Sequence, residues 1–147
     1  MTIAVLALIF QLLVGQPANG VSVVTDMAAY TQGDPVQVTI QNAGPDAITR
    51  GGIVCDDVWP LALEQVQDDG TWQAVPVPRR TSCTGVAGVL FQPGGSQVHT
   101  LSLSLDPGTY RVVYAFDVVG SGGAPNAGQI AYSEPFEVIA PPLVNGV

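Results

Sequence analysis

Lysine is absent: the only cations in the chain are Arg50, Arg79, Arg80 and Arg111, set against 12 acidic residues for a formal net charge of −8. Binding to a nucleic acid draws on a Lys/Arg stripe that displaces counterions, so nucleic acid is not an expected partner. Anionic lipid surfaces are disfavoured by the same charge. A phosphate-cradling Gly-Lys-Ser/Thr loop cannot be built without lysine. There is one histidine, His99, so any Ser-His-Asp or Cys-His arrangement would have to pass through it. Strand alternation places His99 with Leu101, Leu103 and Leu105 and turns Ser102 and Ser104 to the opposite face, which separates base from nucleophile. Two cysteines and one histidine are too few for a zinc or other transition-metal centre. These absences lead us to expect a protein that is not an enzyme and carries no cofactor.

Charged residues make up 11% of the chain and hydrophobic residues 47%, which is the composition of a packed domain and not of a disordered one. At 147 residues there is room for one core. Seventeen Gly and 12 Pro imply many turns between short elements, favouring an all-β architecture over a helical bundle.

No charge occurs in residues 1–20, and Ile3 to Val14 is apolar apart from Gln11. That run has the length of a secretory leader core and falls short of the ~20 residues of a membrane span. Pro17, Ala18, Asn19 and Gly20 follow with small, turn-forming side chains. Residues 1–20 therefore read as a signal peptide cleaved around Ala18 to Gly20, with an uncleaved N-terminal anchor as the alternative; only an anchor would bring the protein to a membrane. The expected location is secreted, periplasmic or cell-surface. Cys55 and Cys83 belong to no C-x-x-C pair and read as one disulfide, which would stabilise the fold by about 3–4 kcal/mol; two separate buried thiols are the other reading.

Beyond the leader, apolar residues recur with period two between Gly/Pro/Asn/Asp clusters. Strands are expected at Val21–Val24, Val36–Gln41, Ala47–Val54, Leu61–Val66, Trp72–Val77, Gln97–Leu105, Tyr110–Val118 and Pro135–Ile139. Asp69-Gly70 predicts a type I′ hairpin between the fourth and fifth of these. Gly120 to Gly128 reads as a loop and 141–147 as a tail. The strand from Tyr110 should bury Tyr110, Val112, Tyr114, Phe116 and Val118, leaving Arg111, Val113, Ala115 and Asp117 on the other face. Its lead-in, Asp106-Pro107-Gly108-Thr109-Tyr110, reads as a tyrosine corner, in which a phenol folds back onto upstream backbone and pins a crossover between two sheets.

The order Tyr30-x-x-Gly33-Asp34-x-Val36, a strand ending at Asn42, Leu63-Glu64-Gln65 with Asp69-Gly70-Thr71-Trp72, Pro93-Gly94, and Leu105-x-Pro107-Gly108-x-Tyr110-Arg111 resembles bacterial immunoglobulin-like domains of the group 14 type. The resemblance covers about Val21 to Ile139. It implies an exported immunoglobulin-like, two-sheet antiparallel β-sandwich, here 21–140, with no established catalytic site. Val112 stands where antibody domains carry a cysteine, so a Cys55–Cys83 bridge would not be their inter-sheet bond.

Other candidates are Asp56-Asp57 and Asp68-Asp69, doublets whose adjacent carboxylates diverge and do not set up glycosidic chemistry. A weak calcium site at Asp56 and Asp57 would need further oxygen ligands. Trp59 reads as core or bridge cover, with an exposed anchor as the alternative, and Gly120-Ser121-Gly122-Gly123 reads as a flexible linker, since it resembles one of three loops of chagasin-type protease inhibitors while the two companion motifs are missing. The expected function is a non-catalytic module binding a protein or cell-envelope component, with a loop-based protease inhibitor as the alternative.

Overall fold

A computed structural model describes residues 15–50, 61–76, 89–119 and 125–144. The apolar run to Val14, Cys55, Cys83, Asp56, Asp57, Trp59, Arg79, Arg80 and Gly120–Gly123 lie outside the described residues. Every helix or strand element among the described residues is a strand: β1 (Val21–Thr25), β2 (Ala29–Thr31), β3 (Val36–Asn42), β4 (Ile48–Arg50), β5 (Leu61–Val66), β6 (Trp72–Val75), β7 (Val89–Phe91), β8 (Ser96–Leu101), β9 (Gly108–Val119), β10 (Pro125–Tyr132) and β11 (Phe136–Ile139).

These strands form two sheets. β1, β3 and β8 make a small antiparallel one, in the order β1-β3-β8. The large sheet is organised around β9, the longest strand: one of its edges pairs with β11 and then β10, the other with β5 and then β4. β6 lies outside β5, β7 outside β4, and β2 runs parallel to β11. This is an immunoglobulin-like arrangement, with β1, β3 and β8 in one layer and the remaining described strands in the other.

Period-two alternation explains the core. Val36, Val38 and Ile40 of β3 and Val21 and Val23 of β1 point inward from the small sheet, meeting Tyr110, Val112, Tyr114, Phe116 and Val118 of β9 with Leu61, Leu63, Ile48, Ala131 and Phe136 from the large one. Each fully buried Val, Leu, Ile or Phe contributes about 1.5–3 kcal/mol, so among the described strands the inward stripe of β9 is the largest single block of stabilisation.

Several expected elements differ in detail. β8 stops at Leu101, and residues 102–106 lack regular pairing, yet Leu103 stays half-buried and Leu105 buried, so the inward stripe outlasts the ladder. β2, β7 and β10 are strands that the sequence reading does not place. β10 occupies the second half of the expected Gly120–Gly128 loop and continues to Tyr132; Gly128 has φ 58 and the register shifts between Asn126 and Gln129, so a bulge breaks the alternation that would mark a strand. The β5–β6 connection is also not type I′. Only Gly70 has positive φ (81), and its N–H donates to the Gln67 carbonyl at 2.9 Å, giving a three-residue loop with the glycine at its end.

The residues just ahead of β1 are bonded as well. Ala18 and Val21 exchange backbone hydrogen bonds at 3.0 and 2.8 Å across Asn19 (φ 47) and Gly20 (φ 77), which is a two-residue type I′ hairpin. Gln16 in turn exchanges bonds of 3.0 and 2.9 Å with Tyr132 of β10. The folded unit thus takes in residues ahead of the expected start at 21.

Candidate functional site: the outer face of the large sheet

Four buried or half-buried polar clusters organise the large sheet and its borders. The Tyr110 hydroxyl donates to the Asp106 carbonyl at 2.7 Å, four residues upstream, the geometry of a tyrosine corner. Gly108 sits inside that bend, with the Gln65 side-chain amide so near that a Cβ there would lie 2.6 Å from it. Burial, and then the Asp106 charge, push the Tyr110 phenol above its ordinary value. Tyr30 repeats the device on β2: its hydroxyl donates to Asp26 at 2.5 Å and accepts from the Met27 N–H at 3.1 Å. Burial, with the Asp26 hydrogen bond second, pushes this phenol up to about 12. Asn42, fully buried, donates to the Asp46 and Phe91 carbonyls and accepts from the Gly44 N–H. Ser133, also buried, accepts from the Val112 N–H at 2.9 Å, filling the gap in the ladder where the chain passes from β10 to β11. All four satisfy backbone groups at turns and strand ends, which makes them architectural.

The outward side of the sheet is different. Antiparallel sheets commonly pair one core face with one polar face. Here register places Ala62, Val113 and Tyr132 in one row across β5, β9 and β10, with Ala115 opposite Ile130 in the next. Ile130 is 45% exposed. None of these five side chains carries charge. Beside them Arg111 of β9 faces Glu64 of β5 in register. Its guanidinium donates through Nε to Glu64 Oε2 at 2.7 Å, and Nη2 lies 2.6 Å from the same oxygen. The planar group lies over the Tyr132 ring at 4.0 Å and the Trp72 ring at 4.4 Å. Arg111 is thus held by a carboxylate from the neighbouring strand and two aromatic faces, each cation–π contact contributing about 0.5–2 kcal/mol. The Trp72 indole N–H is buried without a hydrogen-bond partner among the described residues.

The strand alternation read from sequence puts Arg111, Val113, Ala115 and Asp117 outward, where they are found. What sequence reading misses is the partnership. Trp72 and Glu64 come from a hairpin 40 or so residues earlier, and Tyr132 from the strand hidden by its bulge. The run Gln129-Ile130-Ala131-Tyr132 has strand-forming residues but no polar–apolar alternation, and it follows directly on a Gly-rich stretch, so Tyr132 carries no clear signal.

The other candidates divide cleanly. His99 is half-buried on β8 with its face toward the core side, and Ser102 and Ser104 are exposed on the other. Asp69 is a turn staple: its Oδ1 accepts from the Thr71 hydroxyl at 2.6 Å and N–H at 2.9 Å, and those bonds hold its carboxyl below the usual range. Among the described residues no group of three or more His, Cys, Asp or Glu is placed to hold a metal ion, and no helix is long and apolar enough to cross a membrane. A cavity of about 230 Å³ lies between the N-terminal stub, β1 and the end of β10, lined by Pro17, Val23, Val24, Tyr132 and Glu134 among others. The disulfide, calcium, Trp59 and inhibitor-loop readings fall on residues outside those described.

Sheet topology, the phenol at the bend before β9 and the inter-sheet core together define an immunoglobulin-like β-sandwich. The chain belongs to the bacterial Ig-like domain family, whose model matches residues 17–136. No curated protein matches it. Among solved structures it is similar to the Pseudomonas fluorescens alkylpurine DNA glycosylase AlkC bound to DNA containing an abasic site analog, at 14% identity over 84% of this chain and 31% of that one, with a TM-score of 0.35. This chain thus spans about a third of that protein's length, and a likeness this loose carries no argument about activity.

Proposed function

We propose that this domain is an exported, non-catalytic contact module of the bacterial cell surface or periplasm, binding a protein or envelope component through the outer face of its large sheet. Membership of the bacterial Ig-like domain family supports a non-catalytic module of this kind. The observation that carries the choice of face is the uncharged row Ala62–Val113–Tyr132 with Ala115 and Ile130, flanked by the Trp72–Arg111–Tyr132 stack. In a chain of net charge −8, an outward surface whose central row carries no charge is where burial against a partner costs least in desolvation. Trp, Tyr and Arg held in fixed geometry supply contact area at low entropic cost, as interface anchors do.

A photoreactive amino acid placed at Ile130, with a second chain carrying it at Val98 on the outside of the small sheet, tests the assignment in the bacterial envelope. The expected outcome is a discrete adduct from position 130 that Ala115→Asp abolishes, and none from position 98. No adduct at 130, or equal adducts at both positions, overturns the reading.

A further inference from the structure

Residues 15–20 are the part of the described chain that cleavage of a leader around Ala18 to Gly20 would remove, since Pro17-Ala18-Asn19-Gly20 has the residue types of a cleavage region. In the fold they are working structure. The Asn19-Gly20 loop turns the stub back onto β1, with Ala18 packed against the core. Gln16 then leaves the small sheet's hairpin and pairs with Tyr132 of the large sheet, so these few residues bond to both layers at the edge where β1 and β10 approach each other. The fit on the far side is equally close. Gly20 accepts from the Ala43 N–H at 2.9 Å, and a Cβ on Gly20 would lie 2.6 Å from the Gly44 Cα and N. A glycine with φ 77 against another glycine is a position shaped by packing, beyond what a spent linker requires.

We infer that the mature protein keeps the chain from Gln16 onward: any cleavage of the leader falls N-terminal to Gln16, and residues 16–20 are a tie between the two sheets. A cut between Ala18 and Val21 would take Gln16 away and strip the Tyr132 N–H and carbonyl of their partners. Tyr132 is also the residue whose ring stacks on Arg111, so the N-terminal tie, through its backbone, and the outer face of the large sheet, through its ring, meet at one residue. The inference stands on backbone bonding and is independent of what the outer face binds.

Expression of the whole chain from Met1 in a bacterial host, followed by intact-mass measurement and N-terminal sequencing of the protein recovered from membrane and periplasm, tests it. The expected N-terminus is Gln16 or an earlier residue, an uncut chain included. An N-terminus anywhere from Pro17 to Val21 overturns the inference. Gln16→Pro in the same chain removes the N–H that donates to Tyr132 while leaving every other residue in place. Its melting temperature is expected to fall by about 3–6 °C, and a melting temperature equal to that of the parent would show that the stub is a passenger.

Discussion

At the scale of single residues, the hydroxyls of Tyr30 and Tyr110 do related work around one ring. Phe136 meets Tyr30 edge-on at 5.4 Å and Tyr110 in a stacked arrangement at 6.0 Å. Both phenols bury their rings and direct the hydroxyl to an oxygen acceptor, so each is favoured in its neutral form. The consequence for stability has a definite sign. A phenol in the unfolded chain titrates near 10, whereas that of Tyr30 titrates at about 12 in the fold. The stabilisation is therefore complete below pH ~10 and is lost as pH rises through ~12. Urea midpoints measured from pH 8 upward are expected to fall across that window, and Tyr30→Phe to flatten part of the fall. Parallel pH profiles for the parent and the variant would refute the coupling.

At the scale of elements, turns decide more than strands. Gly20 and Gly33 both adopt positive φ, at 77 and 93, but their surroundings differ. A Cβ at Gly33 meets nothing within 4 Å, while one at Gly20 runs into the backbone of Gly44. Gly33→Ala is expected to cost about 1 kcal/mol, the strain of a left-handed alanine. Gly20→Ala adds a clash that neither backbone can relieve cheaply and should cost at least about 2–3 kcal/mol. Denaturant titration of the two variants checks the contrast, and equal losses would mean that the Gly20–Gly44 approach contributes nothing. Elements are also where the sequence is least transparent. Asn19-Gly20 serves equally as the end of a leader and as a hairpin loop when read alone. The choice depends on Ala43 and Tyr132, which lie far along the chain. β10 escapes a periodicity argument because its bulge resets the inside–outside alternation between Asn126 and Gln129.

At the scale of the whole molecule, stability rests on two inward faces meeting across a core to which β9 contributes most. Phe136 is a good probe because it is almost wholly buried between Tyr30 and Tyr110 and belongs to the strand that joins β2 to β9. Phe136→Ala is expected to cost about 3–5 kcal/mol, through the cavity left behind as well as the lost transfer energy. A calorimetric or denaturant measurement showing less than about 1.5 kcal/mol would mean that this end of the sandwich is not sealed as described.

The all-β class, the inward stripe from Tyr110 to Val118 and the bend that precedes it were legible in the amino-acid order alone, because each depends on neighbours one to four residues apart: strand alternation, a Pro-Gly turn, and a phenol reaching back to Asp106. It took the folded chain to bring Arg111 between Trp72 and Tyr132 against Glu64, and Gln16 onto Tyr132. Those contacts join strands distant in the chain, whose register depends on bulges and hairpin loops, and a slip of one residue would turn each of these side chains to the opposite face.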